Sequence, residues 1–222
     1  MNPTLSIIVP VLNEAASIES TLVSLPIEAE CIVVDGGSQD ETVAIARQCG
    51  ASVLSGARGR ARQMNLGAAQ AHGDVLVFLH GDTRLPGNFI GEIQAFWQSG
   101  RAWGRFDIRL SGSRWAFRVI EFMMNWRSRL TGICTGDQVL FFRRGEFDAM
   151  GGFADIPLME DIELSRRCKR LSRPWCSSVK VMSSSRRWEA QGICRTVLWM
   201  WWYRLSYFFG VSPEALARHY YR

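Results

Sequence analysis

Three short apolar runs constrain the fold of this chain most strongly. They occupy residues 5–12, 31–34 and 75–79, and each ends directly in a polar cluster that contains an acid. Apolar runs of this length without alternation are typical of strands that are covered on both faces. Apolar residues at helical spacing separate the runs, which predicts βαβ units and a mainly parallel sheet. Because the carboxyl ends of parallel strands line a ligand-binding crevice, we expect the polar clusters to form a pocket there.

The polar clusters supply the first candidate site residues. They contain Asn13, Glu14, Asp35, Ser38, His80 and Asp82. A simpler interpretation is that Asn13 and Ser38 cap helices and that Asp35 closes a turn, since such residues are common at strand ends. Ser38 stands three residues before Glu41, the spacing of a capping box, and this predicts a helix over residues 39–49.

The pattern changes after residue 100. Phe106, Ile108 and Leu110 alternate with charged residues, which predicts a half-exposed strand and a sheet that becomes mixed. Residues 115–130 predict a long helix that is apolar on several sides, so it is either buried or in contact with a partner. The acids Glu160 and Asp161 precede apolar residues at helical spacing, and we therefore expect them at a helix N-terminus.

Length and composition favour one domain with an appendage. The chain has 222 residues and 47% hydrophobic content, and we divide it into a domain over residues 1–190 and an aromatic-rich, helical appendage over residues 191–222. Residues 197–209 are too short and too charged to span a bilayer, which needs about 20 apolar residues. We expect the appendage to lie at a membrane interface or to form a homodimer contact.

Cysteine spacing and the N-terminus indicate the compartment. The six cysteines form no CxxC pair and have no regular spacing, which argues against a disulfide framework and a zinc site. The first apolar run has no basic leader and meets Pro10 early, unlike a signal peptide. We therefore expect a cytoplasmic protein, in peripheral contact with the inner face of the membrane if the appendage binds lipid.

The charge of the chain indicates an anionic partner. The formal net charge is +5 and the pI is near 9.1, which fits a phosphorylated small molecule, an acidic membrane surface or nucleic acid. Arg58, Arg60 and Arg62 surround Gly59 in a loop before a predicted helix, where guanidinium groups and backbone amides could face a diphosphate. The alternative for these arginines is a solvated basic face.

Four segments in order carry a family resemblance. LSIIVPVLNE, CIVVDGGSQDET, VLVFLHGDT and GGFADIPLMEDIEL resemble the motif series of the family 2 inverting glycosyltransferases with the GT-A fold, over residues 5–188. GRARQMNLGA, LHGDTRLP and SSRRW further resemble a compact bacterial subgroup of that family. The resemblance implies an α/β fold of the Rossmann-like, nucleotide-diphosphosugar transferase type. Its mixed, mainly parallel central sheet is flanked by helices.

The resemblance also implies a reaction and a donor site. A sugar would pass from a nucleotide-diphosphosugar, with uridine as the preferred nucleoside, to an acceptor hydroxyl in one inverting displacement. It makes Asp161 the candidate general base, with Glu160 as its acidic neighbour. The alternative is that both acids only cap their helix. The implied nucleotide-binding residues are Pro10, Asn13, Glu14, Asp35, Ser38, Arg58, Arg60, Arg62 and Asn65.

The sequence departs from the family pattern at the metal motif. Asp82 matches the last acid of the DxD-like motif, but His80 stands at the first position. One carboxylate can still hold Mg²⁺ or Mn²⁺ together with water and substrate oxygens, and Mn²⁺ tolerates an imidazole better. His80 is then a metal ligand, a hydrogen-bond partner of phosphate or an ordinary strand-end residue. Met64 precedes Asn65 where the family often has an arginine, so Arg60 or Arg62 takes that role.

The implied acceptor residues come from the second half of the chain. They are Asp137, Gln138, Arg187 and Trp188, although for a single tryptophan a place in the core is the commoner role. Arg187 and Trp188 resemble the QxxRW element of processive relatives, but Ser184 replaces its glutamine. A small-molecule or lipid-linked acceptor therefore fits better than a growing polymer, and no nucleic-acid partner is expected.

Two enzyme classes and one non-catalytic class compete with this interpretation. A sugar-phosphate nucleotidyltransferase would carry a Gly-rich basic loop after the first strand, and a dehydrogenase would carry GxGxxG there. Residues 10–14 match neither. A degenerate fold could instead bind nucleotide-sugars without turnover, or dock on a membrane through Trp199, Trp201 and Trp202. Turnover would distinguish an enzyme from that protein.

Overall fold

One eight-stranded sheet organises the protein. The computed structural model describes residues 2–220, so residues 1, 221 and 222 at the ends of the two predicted domains lie outside the described residues. The strand order is β3-β2-β1-β4-β7-β6-β8-β5. The strands are β1 (Leu5–Val11), β2 (Glu30–Asp35), β3 (Ser52–Ser55), β4 (Val75–Phe78), β5 (Thr83–Arg84), β6 (Trp103–Leu110), β7 (Leu140–Arg143) and β8 (Trp175–Ser183).

Helices cover both faces of this sheet. They are α1 (Ile18–Leu22), α2 (Thr42–Gln48), α3 (Arg60–Gln70), α4 (Phe89–Gln98), α5 (Trp115–Thr131), α6 (Arg144–Ala149), α7 (Glu160–Cys168), α8 (Arg186–Gln191), α9 (Ile193–Phe208) and α10 (Pro213–Tyr220), with a 3₁₀ turn at Gly136–Gln138. Ile7 and Val9 point into one apolar layer and Ile8 into the other, and all three are fully buried. Burial on both faces explains why β1 shows no alternation.

The sheet changes from parallel to mixed, as the sequence predicted. β1 pairs in parallel with β2 and β4, and Val11 lies beside Asp35. β7 is antiparallel to both β4 and β6. The ends of β1, β2 and β4 therefore meet at one edge, beside the start of β7.

Two local predictions were wrong. β6 is not half-exposed: Arg105 is fully buried and Asp107 nearly so, because α5 covers that face. Arg105 and Arg129 both pair with Asp107, the second at 2.7 Å, and this neutralises the buried charge. The helix predicted over residues 39–49 begins only at Thr42, and Ser38 does not cap it.

The two aromatic helices remain partly uncovered. Phe117 and Met124 of α5 pack on β6, whereas Trp115, Phe122 and Trp126 are exposed. On α9 the large exposed side chains are Leu198, Trp199, Trp201, Trp202, Leu205 and Phe208. Within residues 2–220, no helix has the length and apolar character needed to cross a membrane.

Candidate active site

The loops after β1 and β2 are joined by hydrogen bonds at the edge where the strands end. The backbone N–H of Asn13 donates to Ser38 Oγ at 2.9 Å, and the N–H of Gln39 donates to Asn13 Oδ1 at 2.8 Å. Asp35 is buried, and its carboxylate accepts the N–H groups of Gly37 and Ser38 at 3.0 and 3.1 Å. Asn13 and Ser38 therefore link two loops instead of capping helices. Asp35 does hold a turn, and an ionised carboxylate keeps further lone pairs for a ligand.

Gln63, which the sequence did not indicate, holds the ends of β1 and β2 together. Its Nε2 donates to the carbonyl oxygens of Val11 and Val34, at 2.9 and 2.7 Å. The side chain is buried on the face of α3 that carries Met64. The available signal was a polar residue at a position where helical spacing expects an apolar one.

The three loop arginines have different surroundings. Arg58 is exposed, and Arg62 forms an ion pair with Asp155 at 2.7 Å. Arg60 opens α3, and its charge acts on the carboxylates of Asp137 and Glu160. Arg60 is thus the arginine of the three that lies nearest to the acidic part of the site.

The side-chain amide of Asn65 forms hydrogen bonds with the loop that contains Phe153. Its Nδ2 donates to the carbonyl oxygen of Phe153 at 2.8 Å, and its Oδ1 accepts the N–H of Phe153 at 2.9 Å. Gly152 has a φ of +70°, and a Cβ there would lie 2.6 Å from Asn65 Oδ1. Asn65 therefore holds the loop that leads to the acid pair, and Pro10 remains in β1 beside Val34.

Three distant segments converge beyond the end of β4. His80 Nδ1 lies 3.2 Å from Asp137 Oδ1. The N–H of Gly136 donates to Asp161 Oδ2 at 2.9 Å. A Cβ at Gly136 would lie 2.5 Å from His80 Nε2, so glycine is required for this approach. The segment Gly136–Gln138 thereby connects the strand-end histidine to the acid pair of α7.

Burial and charge set the ionisation of these acids. Burial opposes ionisation of Asp137, but the hydrogen bond from His80 and the charges of His80, Arg60 and Arg204 lower its pKa to about 2. Burial, followed by the negative charge of Asp161, raises the pKa of Glu160. Asp161 is the less buried member of the pair. The arrangement keeps Asp137 charged and places the more accessible carboxylate of the acid pair beside it.

The donor set fits a weakly held divalent cation. Both nitrogens of His80 face Asp137 and Gly136, and within residues 2–220 no group of three or more His, Cys, Asp or Glu side chains is arranged to hold a metal. Asp82 is partly buried, and burial raises its pKa. One such carboxylate suits Mg²⁺ or Mn²⁺ when water and phosphate oxygens complete the coordination.

An ion pair that the sequence did not predict closes one side of the cleft. Arg186 Nη2 lies 2.8 Å from Glu14 Oε2, and Ser17 also donates to that oxygen at 2.7 Å. Asp82, Ser17 and Arg186 are among the residues that line a cleft of about 300 Å³. The start of α8 therefore contributes to the site through Arg186, one residue before the predicted Arg187.

The structure brings only one of the four predicted acceptor residues, Asp137, to the acid cluster. Gln138 is fully buried, and its Nε2 donates to Ser128 Oγ at 3.0 Å. Trp188 is buried in the core with Phe117. Arg187 bonds and stacks on Tyr220 of α10, with 4.4 Å between the guanidinium carbon and the ring centre. Gln138 and Trp188 therefore support the fold, in line with the core alternative for Trp188.

Comparison with known proteins identifies the family. The family model described as "Glycosyl transferase family 2" matches residues 6–152. A PGL/p-HBAD biosynthesis glycosyltransferase of Mycobacterium bovis (strain BCG / Pasteur 1173P2) is 30% identical over 188 residues, which cover 75% of this chain and 70% of that protein. Glycosyltransferase AglE of Haloferax volcanii is 36% identical over 93 residues, or 36% of this chain and 31% of that one. The chain belongs to glycosyl transferase family 2.

Solved structures confirm the predicted GT-A fold. The mannosyltransferase PcManGT from Pyrobaculum calidifontis, in complex with GDP-Man and Mn²⁺, has a TM-score of 0.63 and 19% identity. TarS of S. aureus in complex with UDP-GlcNAc has a TM-score of 0.66 and 18% identity. Each match covers 82% of this chain, but the chain spans only 57% and 58% of the length of those two structures.

Proposed function

We propose that the protein is an inverting glycosyltransferase that moves a sugar from a UDP-linked donor to an acceptor hydroxyl. The observation that carries this proposal is the convergence of His80, Asp137 and Asp161 beside the ends of β1, β2 and β4. Relatives named as glycosyltransferases and neighbours solved with UDP-GlcNAc or GDP-Man support it.

Asp161 is the general base of the proposed reaction. The acceptor oxygen attacks the anomeric carbon from the face opposite the diphosphate, and its proton passes to the Asp161 carboxylate. The bond between the anomeric carbon and the diphosphate oxygen breaks in the same step, which inverts the configuration. The N–H groups of Gly136 and Ile162 hold Asp161 Oδ2 and Oδ1 at 2.9 and 2.7 Å, and each oxygen keeps a further lone pair that can receive the proton.

The nucleotide lies at the loops after β1 and β2 in this proposal. Asp35 accepts a hydrogen bond from the base, and Pro10, Asn13 and Ser38 shape the surrounding wall. Arg60 faces the diphosphate, with Arg58 at the loop entrance. Asp82 would hold Mn²⁺ or Mg²⁺ beside the diphosphate, and the cation would stabilise the charge of the leaving group. His80 keeps Asp137 in place instead of binding the metal.

Product analysis tests this function against its alternatives. The full chain is incubated with a panel of UDP-sugars and Mn²⁺ or Mg²⁺, and release of UDP is measured. Metal-dependent UDP release that Asp161→Asn abolishes supports the proposal. Binding without release from any sugar would favour the non-catalytic protein, whereas pyrophosphate release from UTP and a sugar phosphate would indicate a nucleotidyltransferase.

We also propose that α5 and α9 rest on an acidic membrane surface at its cytoplasmic face. Residues 114–131 and 186–220 contain nine arginines and three glutamates, and of these arginines Arg114, Arg195 and Arg218 are exposed and lie outside the proposed site. The exposed aromatic side chains of both helices lie in these segments. Aromatic residues combined with excess positive charge are typical of interfacial helices. Contact with a second copy of the chain is the competing outcome, and the domain boundary near residue 190 stays a prediction.

A further inference from the structure

Two arginines lie beside the acid pair. Arg127 comes from α5 and Arg204 from α9. Among residues 2–220, neither guanidinium group has a hydrogen-bond or ion-pair partner. Nε and Nη2 of Arg127 are fully buried. Arg204 is partly buried, and the carboxylates of Asp161 and Asp137 act on it electrostatically.

Keeping these two charges costs stability. Burial lowers the pKa of Arg127 to about 10, and the nearby positive charge of Arg204 contributes to the shift. Burial also lowers the pKa of Arg204. Both groups stay protonated at neutral pH, so the fold holds two neighbouring like charges that Asp161 and Asp137 only partly offset, and two buried nitrogens of Arg127 have no hydrogen bond within residues 2–220. A polar group left without a partner in this way is typical of a site that binds a ligand.

The position of the pair indicates which ligand it meets. Arg127 and Arg204 both act on Asp161, whereas the charged neighbours of Asp82 are His80, Asp137, Glu14 and Arg186. The pair therefore lies on the side of Asp161 and, through Arg204, of Asp137. In the proposed function, that side receives the acceptor hydroxyl, because Asp161 takes its proton.

We propose that the acceptor carries a phosphate ester group, which Arg127 and Arg204 bind. This inference rests on the proposed function for its assignment to the acceptor. Two planar guanidinium groups match the oxygens of a phosphate dianion, and the charge-assisted bonds satisfy the donors that are buried without partners. The phosphate belongs either to a soluble phosphomonoester or to a lipid headgroup.

Phosphate binding to the full chain tests the inference. The donor site is first saturated with UDP and Mn²⁺, so that added phosphate cannot occupy it. Inorganic phosphate, glycerol 3-phosphate and short-chain phosphatidic acid are then titrated at constant ionic strength, and the thermal unfolding midpoint is recorded. Wild type is compared with Arg127→Gln, Arg204→Gln and Arg204→Lys. Arg195→Gln is the matched control, because Arg195 is an exposed arginine of α9.

We expect phosphate to raise the midpoint of wild type and of the Arg195 control. Arg127→Gln and Arg204→Gln weaken phosphate binding about tenfold or more, and Arg204→Lys weakens it less. Without phosphate, both Gln variants unfold near the wild-type midpoint, because each removes one of two neighbouring like charges. Phosphate binding that both Gln variants retain, or no binding to wild type, overturns the inference.

Failure of the proposed donor chemistry and failure of the acceptor inference would give different results in this experiment. If UDP and Mn²⁺ do not raise the midpoint, the proposed donor chemistry fails, whatever phosphate does. If UDP binds and phosphate does not, only the acceptor inference fails. Binding of phosphatidic acid but not glycerol 3-phosphate assigns the phosphate to a lipid, and the reverse assigns it to a soluble acceptor.

Discussion

His80 Nδ1 lies 3.2 Å from Asp137 Oδ1, and this contact joins the end of β4 to the loop before β7. The histidine stands where the family pattern has a metal-binding acid, yet its ring faces Asp137 and Gly136. In the proposed function, His80 therefore serves as a structural partner of the acid cluster and not as a metal ligand.

The contact between His80 and Asp137 predicts that the protein loses stability when the pH falls below about 4. The pKa of Asp137 falls from 3.8 to about 2 in the folded protein, so its contribution is present above about pH 4 and is lost as the pH falls through 2. Asp137→Asn removes the contribution. Because a third of the side chain is exposed, we expect it to destabilise the protein by about 1 kcal/mol at neutral pH.

Urea unfolding between pH 7 and pH 2 measures this difference. The gap between wild type and Asp137→Asn should stay constant down to about pH 4 and then narrow. Asp148→Asn, which changes an exposed acid, serves as the control. A gap that widens towards pH 2 contradicts the ionised state of Asp137.

The raised pKa of Glu160 predicts the opposite effect, a loss of stability as the pH rises. Burial and the charge of Asp161 raise its pKa above 4.5, so its stabilising contribution is complete below that pH and is lost as the pH rises through the folded value. Glu160→Gln should therefore leave stability unchanged at acid pH and raise the unfolding midpoint at pH 8. Glu28→Gln changes an exposed carboxyl group and is the comparison. Equal effects of Glu160→Gln at both pH values would show that burial does not perturb this acid.

Local sequence patterns predicted the strands but not all of the site. The apolar runs indicated β1, β2 and β4 because burial on both faces leaves a direct signature in the sequence. The charged residues of β6 indicated an exposed face, because charged side chains usually lie at the surface. Asp107 is instead buried through its ion pairs with Arg105 and Arg129. Whether a charged residue finds a buried partner depends on tertiary contacts that local spacing does not contain.

The same limit explains which site residues were missed. Arg127 and Arg204 act on the acid cluster from α5 and α9 and lie in no motif, whereas Arg186 lies in the SSRRW segment but was not among the predicted site residues. Trp188 did match a family motif and Gln138 was an implied acceptor residue, but both are buried. A motif thus identified the segment near the site, while the backbone path decided which side chain faces it.

Asp161→Asn should abolish turnover while the donor still binds. The substitution keeps the size of the side chain and one of its two backbone hydrogen bonds, but it removes the proposed base, which is worth about a hundredfold to ten-thousandfold in rate. UDP release and the thermal shift with UDP-sugar are measured on the same preparations, with Asp148→Asn as the control. An unchanged rate in Asp161→Asn would show that another group takes the proton.

The Glu14–Arg186 ion pair should affect donor binding, because it joins the loop after β1 to the start of α8. Its atoms are only partly buried, so we expect each single variant, Glu14→Gln or Arg186→Gln, to change the free energy of unfolding by less than about 1 kcal/mol. Both should raise the KM for the donor, because the pair fixes a wall beside Asp82. The double variant should add little to either single variant. Additive effects on KM would mean that the two residues act separately, and Arg187→Gln provides the adjacent control.

Membrane contact predicts flotation that depends on exposed aromatic side chains and on lipid charge. The full chain should float with vesicles that contain anionic lipid and much less with neutral vesicles, because the aromatic helices carry the excess positive charge. Replacing Trp201 and Trp202 with serine should reduce flotation without unfolding the protein, since both are exposed. The control is Ile27→Ser, which changes an exposed residue outside these helices. Trp103 is unsuitable as a control, because it is fully buried and its replacement would unfold the protein. Loss of a dimer in the tryptophan variant, with no flotation of wild type, would instead assign this surface to a second copy of the chain.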